Sequence, residues 1–295
     1  MRVPDFVLNS VGFIAEVIRS EGHEDIVDLV ATGFFVSHPS SEYPGTSYPA
    51  FVTAKHVAKD LDGKLIEFIV NKKGGGVMTL SSLDNKWYKH RDDSVDAVVT
   101  PLEITPDADI VSISTRDFVT SAGLVENKLG IGDEVFMPGL FVHAPGGEKR
   151  NMPILRHGNL AMLPDQPIQV ESGFAEVYLI EARSIGGISG SPVFVRQTVN
   201  LDVIDQSGKD RTLHGVGGSM HLLGLVHGHW DIKESELNTV HFTHDSQRGV
   251  NLGIAVVVPA QKLLEIIVDH PGLIELRENH EAKLRAAISP KPDGV

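Results

Sequence analysis

Short apolar segments, broken at intervals by turn chemistry, constrain the fold of this chain more than any other feature of its sequence. DLVATGFFVS (28–37), AFVTA (50–54), KLIEFIV (64–70), VDAVV (95–99), DEVFMPGL (133–140), EVYLIEA (176–182), PVFVR (192–196), LLGLVHG (222–228) and NLGIAVVV (251–258) are rich in β-branched or aromatic residues and bounded by Gly, Pro, Asp or Ser. Turn signals separate them: DG at 62–63, GGG at 74–76, PGG at 145–147 and SGKD at 207–210. Strands separated by turns, with few long helical stretches, predict an all-β barrel or sandwich. Helical patterning is confined to the end. PAQKLLEIIVDHPG (259–272) has Pro259 at a position suited to a helix start, and Ala260, Leu263, Leu264 and Ile267 share one face. The charged stretch 273–288 predicts a second helix, and the final SPKPDGV an unstructured tail. Residues 115–130 carry no strong strand and read as a link between two halves. The stretches 38–49, 198–212 and 231–249 read as long polar connections.

The bulk properties narrow the function. A chain of 295 residues with 41% hydrophobic composition can bury a substantial core. All-β barrels reach this size as one unit. A net charge of −13 without any Lys/Arg run argues against nucleic-acid or anionic-membrane partners, which need basic patches. With no cysteine there is no disulfide, thiol nucleophile or Cys-ligated zinc. MRVPDFVLNS lacks the basic start and apolar core of a secretory signal, and no apolar run reaches the roughly 18 residues of a membrane span, so the expected location is cytoplasmic.

Three sites carry chemistry. GGISGSPVF (186–194) sets a serine between glycines, which tolerate unusual backbone angles, ahead of an apolar strand. FVTAKHVA (51–58) runs a strand into His56 and what reads as one helical turn. DDSVDAVV (92–99) puts Asp96 at the head of an apolar run, with Asp92 and Asp93 as a solvated turn. A serine hydroxyl is a poor nucleophile at neutral pH and needs a base within reach. Imidazole titrates near neutrality and can take and return that proton. A buried carboxylate fixes the imidazole tautomer and stabilises its charged form. The order His, Asp, Ser is one in which this triad occurs.

These segments resemble the trypsin-like (chymotrypsin-fold) serine peptidases. TAKH matches the family's T-A-x-H, GISGSP its G-x-S-G-x-P, and TGFFVS the strand before the histidine. The S-G-S-P form is similar to bacterial glutamyl endopeptidases, and NLGIAVVVPAQKLLEI to the last strand and closing helix of the protease Do group. The resemblance covers roughly residues 11 to 269. It implies two packed antiparallel barrels, about 11–115 and 130–258, closed by helix 259–270 within a domain of 1–272, with 273–295 a helical extension and tail. It implies peptide-bond hydrolysis through an acyl-enzyme without a cofactor, on a protein or peptide substrate. The serine is the third residue of its motif, hence Ser189 rather than Ser191 or Ser184. The oxyanion donors are the backbone N–H groups of Gly187 and Ser189. The acid is Asp96 or Asp109. The family usually shows Asp, an aliphatic residue, then Ala, whereas Ala97 precedes Val98 here, and DADIVSI offers the competing Asp109. Asp96 is preferred because VDAVVTPL lies in the expected stretch. The substrate pocket falls on residues 182–186 and LVHGHW (225–230), making Arg183, His227 and His229 candidates to line it. Glutamyl endopeptidases have Gly-Ile-His on this strand, whereas here one more residue separates Gly224 from His227, and a slip of one reverses the side-chain face. Trypsin-like zymogens carry Asp just before the serine. Ile188 cannot form their activating ion pair, which implies constitutive activity or control through loops or a regulatory protein partner.

Two rival readings use the same residues. The chain has 14 histidines, and HGHWD (227–231) with His214, His221, His241 and His244 offers imidazole and carboxylate ligands for a metal. No HExxH occurs, and the expectation is no metal. The second rival is a protease fold kept as a silent binding module. GVGGSM (215–220) and KKGGGV (72–77) lack phosphate-binding context and read as turns.

Overall fold

The computed structural model describes residues 3–19, 26–84, 86–141, 143–147, 149–170, 173–182, 188–197, 200–204, 207–214, 218–233 and 249–288. The chain is mostly β. A short helix, α1 (Asp5–Asn9), leads into β1 (Val11–Ile18), β2 (Ile26–Pro39) and β3 (Ser47–Thr53), and then into α2 (Lys55–Asp60). Next come β4 (Ile66–Asn71), β5 (Val77–Leu80), β6 (Tyr88–Lys89), β7 (Val98–Pro101) and β8 (Ile113–Ser114). Their sheet runs β5-β4-β1-β2-β3-β7-β6, with β8 laid parallel to β2. It curls until its ends meet. Just beyond β5, Leu83 N–H donates to Pro101 O at 2.9 Å, and the Ser82 and Thr100 hydroxyls lie 2.6 Å apart. β2 is buried on consecutive residues, Ala31 to Val36, because one face lines this barrel and the other meets the second.

After α3 (Ser121–Glu126) the chain builds a second barrel from β9 (Glu134–Gly139). Two short strands, β10 (Gly146–Gly147) and β11 (Arg150–Asn151), follow, then β12 (Ile154–Met162). The small pair β13 (Ile168–Val170) and β14 (Gly173–Ala175) precedes β15 (Tyr178–Glu181) and β16 (Pro192–Arg196). The hairpin β17 (Asn200–Ile204) and β18 (Asp210–His214) leads to β19 (His221–Lys233) and β20 (Gly249–Pro259). Six strands close fully, in the order β12-β15-β20-β19-β16-β9. Their inner side chains, among them Val135, Met137, Ile180, Val193, Leu223 and Val257, form a core of their own. This is the two-barrel architecture that the sequence implied.

Helices α4 (Ala260–Asp269) and α5 (Pro271–Ile288) end the described chain. Ala260, Leu263, Ile266 and Ile267 are buried and join the core of the first barrel, so α4 ties the end of the second barrel back onto the first. Leu264, expected on this face, sits at its margin, and Ile266 takes its place. The stretch 198–212, expected as a loop, contains most of the β17–β18 hairpin, and the expected loops 38–49 and 231–249 are shortened by the extensions of β2, β3 and β19. Residues 234–248 of the last loop lie outside the described residues. Among the described residues no helix is long and apolar enough to cross a membrane.

Candidate active site

His56 is the second residue of α2, and Thr53 ends β3 just before it. β3 pairs antiparallel with β7, Thr53 opposite Val98. Beyond that pair the residues following Thr53 run alongside those preceding Val98, which brings Asp96 to His56. The first N–H groups of a helix have no partner within it. Here the Asp96 Oδ1 accepts the backbone N–H of His56 at 2.8 Å, and its Oδ2 lies 2.7 Å from His56 Nδ1. Asp96 is buried between Val95 and Ala97, while the His56 side chain is 41% exposed and so open to a substrate. Burial alone would raise the Asp96 carboxyl. Hydrogen bonds from His227 and His56, and their charge when protonated, outweigh burial and hold it well below its ordinary value.

Asp109, the competing acid, lies elsewhere. Its N–H donates to the carbonyl of Asn71 at the end of β4, three strands from β3 in the sheet. Asp92 accepts the Ser94 N–H, and Asp93 faces Lys55 and Lys89 at the surface, as a solvated turn requires.

The Ser189 turn enters from the second barrel. Ser191 N–H donates to Ile188 O at 2.9 Å, closing the turn. Ile188 is fully buried in the second-barrel core, Gly190 and Ser191 are buried, and Ser189 between them is half-buried. Gly190 has φ +84°, where a side chain is strained. A β-carbon at Gly190 would overlap the Thr32 carbonyl oxygen and the Thr53 hydroxyl, and would lie 3.2 Å from the Ala54 nitrogen. The turn is thus pressed against the strand end that delivers His56. Ser191 is fully buried against Gly139, which removes it as an accessible nucleophile. Two sequence candidates, Gly187 for the oxyanion hole and Arg183 for the pocket, lie outside the described residues, as does Ser184.

His227, expected to line the substrate pocket, reaches the catalytic candidates themselves. Its Nδ1 lies 2.6 Å from Asp96 Oδ2, and its ring stands edge-on to that of His56 at 5.8 Å. The cause is a β-bulge. Val226 pairs with Val257 and Gly228 with Val256, so His227 is an extra residue on β19. Bulges re-aim side chains. The sequence held only a trace of this, the one-residue excess between Gly224 and His227. His229 pairs through its backbone with Ala255, and its side chain lies outside the described residues.

Among the described residues, His56, Asp96 and His227 are the group whose donor atoms, within 4.8 Å of one another, have a metal-ligand composition. Both imidazoles approach one carboxylate oxygen at hydrogen-bond distance through Nδ1. Those nitrogens therefore carry protons towards Asp96 instead of presenting lone pairs to a cation. Of the other histidines in the metal reading, His241, His244 and the side chain of His214 lie outside the described residues. A cavity of about 390 Å³ between Thr120–Ala122 and α4 includes none of the site residues.

No protein-family model and no curated protein matches the chain. Among solved structures it is similar to the MamO protease domain from Magnetospirillum magneticum in its apo form, at 17% identity over 71% of this chain and 93% of that one, with a TM-score of 0.43. It is also similar to an inactive serine-to-alanine mutant of Rv3671c from M. tuberculosis H37Rv, at 15% identity over 88% of this chain and 87% of that one, again with a TM-score of 0.43.

Proposed function

We propose that the protein is a serine endopeptidase that hydrolyses peptide bonds through an acyl-enzyme. The observation that carries this reading is the ionised, buried Asp96 holding Nδ1 of a solvent-open His56, beside the turn of Ser189. Because Nδ1–H is committed to Asp96, the lone pair of His56 lies on Nε2. That nitrogen removes the Ser189 hydroxyl proton as the oxygen attacks the scissile carbonyl, and returns it to the leaving amine. Asp96 stays ionised and stabilises the imidazolium that forms between these steps. The backbone N–H groups of Gly187 and Ser189 receive the developing oxyanion; losing one such donor typically costs about 3–4 kcal/mol of barrier. Ile188, buried in an apolar core, offers no carboxylate to a newly cut N-terminus, which fits a site that does not await such activation. With His227 turned onto Asp96, selectivity for acidic substrates has no support from that residue.

Labelling with a fluorophosphonate probe tests the reading, since only an activated serine reacts. The wild type should label and Ser189→Ala should not, with unchanged circular dichroism. A Ser189→Ala protein labelled at the wild-type level would overturn the assignment, and an unlabelled wild type would favour a silent binding module.

A further inference from the structure

We infer that His227 is a positioning residue of this site, holding the Asp96 carboxylate from the second barrel and so fixing the acid, and His56 through it, against the turn that carries Ser189. The inference rests on the peptidase reading and adds a residue to its machinery.

Three N–H groups are directed at Asp96. Two come from His56, its backbone N–H at 2.8 Å and its Nδ1 at 2.7 Å, both from the first barrel. The third is His227 Nδ1 at 2.6 Å, from β19 of the second. The neighbouring residue on β19 holds the nucleophile. Val226 O accepts the Gly190 N–H, and Val226 N–H donates to Ser191 O, each at 2.9 Å. Two consecutive residues of one strand therefore grip the serine turn and the acid. Since His56 and Ser189 reach the cleft from different barrels, their alignment depends on contacts that cross it. The bulge at residue 227 directs an imidazole across that cleft to the carboxylate. A His at this point supplies a donor on a planar, two-torsion side chain, and a hydrogen bond to an ionised acceptor is among the stronger ones.

The test measures fluorophosphonate labelling over a range of probe concentrations. His227→Ala should lower the maximal labelling rate by about 10²-fold, the usual consequence of misplacing reacting groups by an ångström. The half-saturating concentration should change by less than about threefold, since probe binding is not at issue. His227→Asn, whose amide N–H can stand where Nδ1–H does, should recover most of the rate. Labelling of His227→Ala at the wild-type rate, a loss seen only in half-saturation, or no recovery in a folded His227→Asn protein would each overturn the proposal. A second readout needs no activity. In the Ser189→Ala protein, two strongly hydrogen-bonded imidazole N–H protons should resonate at low field in the proton NMR spectrum, and one of them should vanish in Ser189→Ala/His227→Asn. An identical spectrum would reject the His227–Asp96 bond. Failure of the wild type to label, with both resonances present, would instead reject the peptidase reading.

Discussion

Asp96 shows how much one residue carries here. Its carboxylate serves the first turn of α2, His56 and His227 at once, and these bonds hold its pKa below the ordinary 3.8. A depressed carboxyl contributes stability that is fully present above its unfolded value and is lost as pH falls through its folded one. Urea midpoints of the wild type should therefore drop as pH is taken below about 4, and Asp96→Asn should lack this part of the drop. The same variant should lose roughly 10⁴-fold in turnover through the wrong imidazole tautomer, while Asp109→Asn keeps wild-type turnover; equal losses in the two variants would reject Asp96 as the acid. Gly190 is the other residue with a sharp consequence. Gly190→Ala should destabilise by at least about 1–3 kcal/mol from backbone strain alone. It should also remove probe labelling, because the turn must withdraw from Thr32 and Thr53.

Among the elements, α4 is the one whose burial can be tested most directly. Leu263 is fully buried in the first-barrel core although its helix follows the last strand of the second. Leu263→Ala should cost about 2–5 kcal/mol, read from denaturant midpoints. His90 of the first barrel reinforces the contact. Its Nδ1 accepts the Asp92 N–H, so the proton is on Nε2, which donates to Glu265 of α4 at 2.8 Å. This helix was legible because its apolar spacing is local. PVFVR was legible as a strand for the same reason, and it matches β16 at both ends. β12 carries no such local signal, because ILRHGNLAM mixes charged and polar residues with apolar ones, and it becomes a strand by pairing with β9 and β15. The β17–β18 hairpin was hidden by its polar composition, since a two-stranded pair is set by backbone hydrogen bonds and its turn more than by an apolar face.

At the scale of the molecule, the cleft depends on how the barrels are joined. Thr32 is one joint. Its carbonyl accepts the Thr53 hydroxyl at 2.8 Å, and its own hydroxyl accepts the Leu140 N–H from the second barrel at 2.8 Å. Asn71 and Asn151 form another, each side chain bonded to the other's strand. Thr32→Val keeps the shape and leaves a buried Leu140 N–H without its acceptor, which should cost about 1–3 kcal/mol. Because Gly190 packs on the same carbonyl, the maximal labelling rate should fall as well. An unchanged denaturant midpoint together with an unchanged labelling rate would show that this joint does not align the site.

The sequence by itself determined the β class, the closing helix and the motifs around His56, Asp96 and Ser189. Each of these is written in a few neighbouring residues, as turn glycines, apolar periodicity, or a polar side chain at the end of a strand. Only the tertiary structure decided which carboxylate meets His56 and where His227 points. The choice between Asp96 and Asp109 follows from Thr53 pairing with Val98, and the direction of His227 from one extra residue against β20. Both are matters of register between strands distant in the chain. Pairing energy, summed over whole strands, sets that register, and no short stretch of sequence contains it.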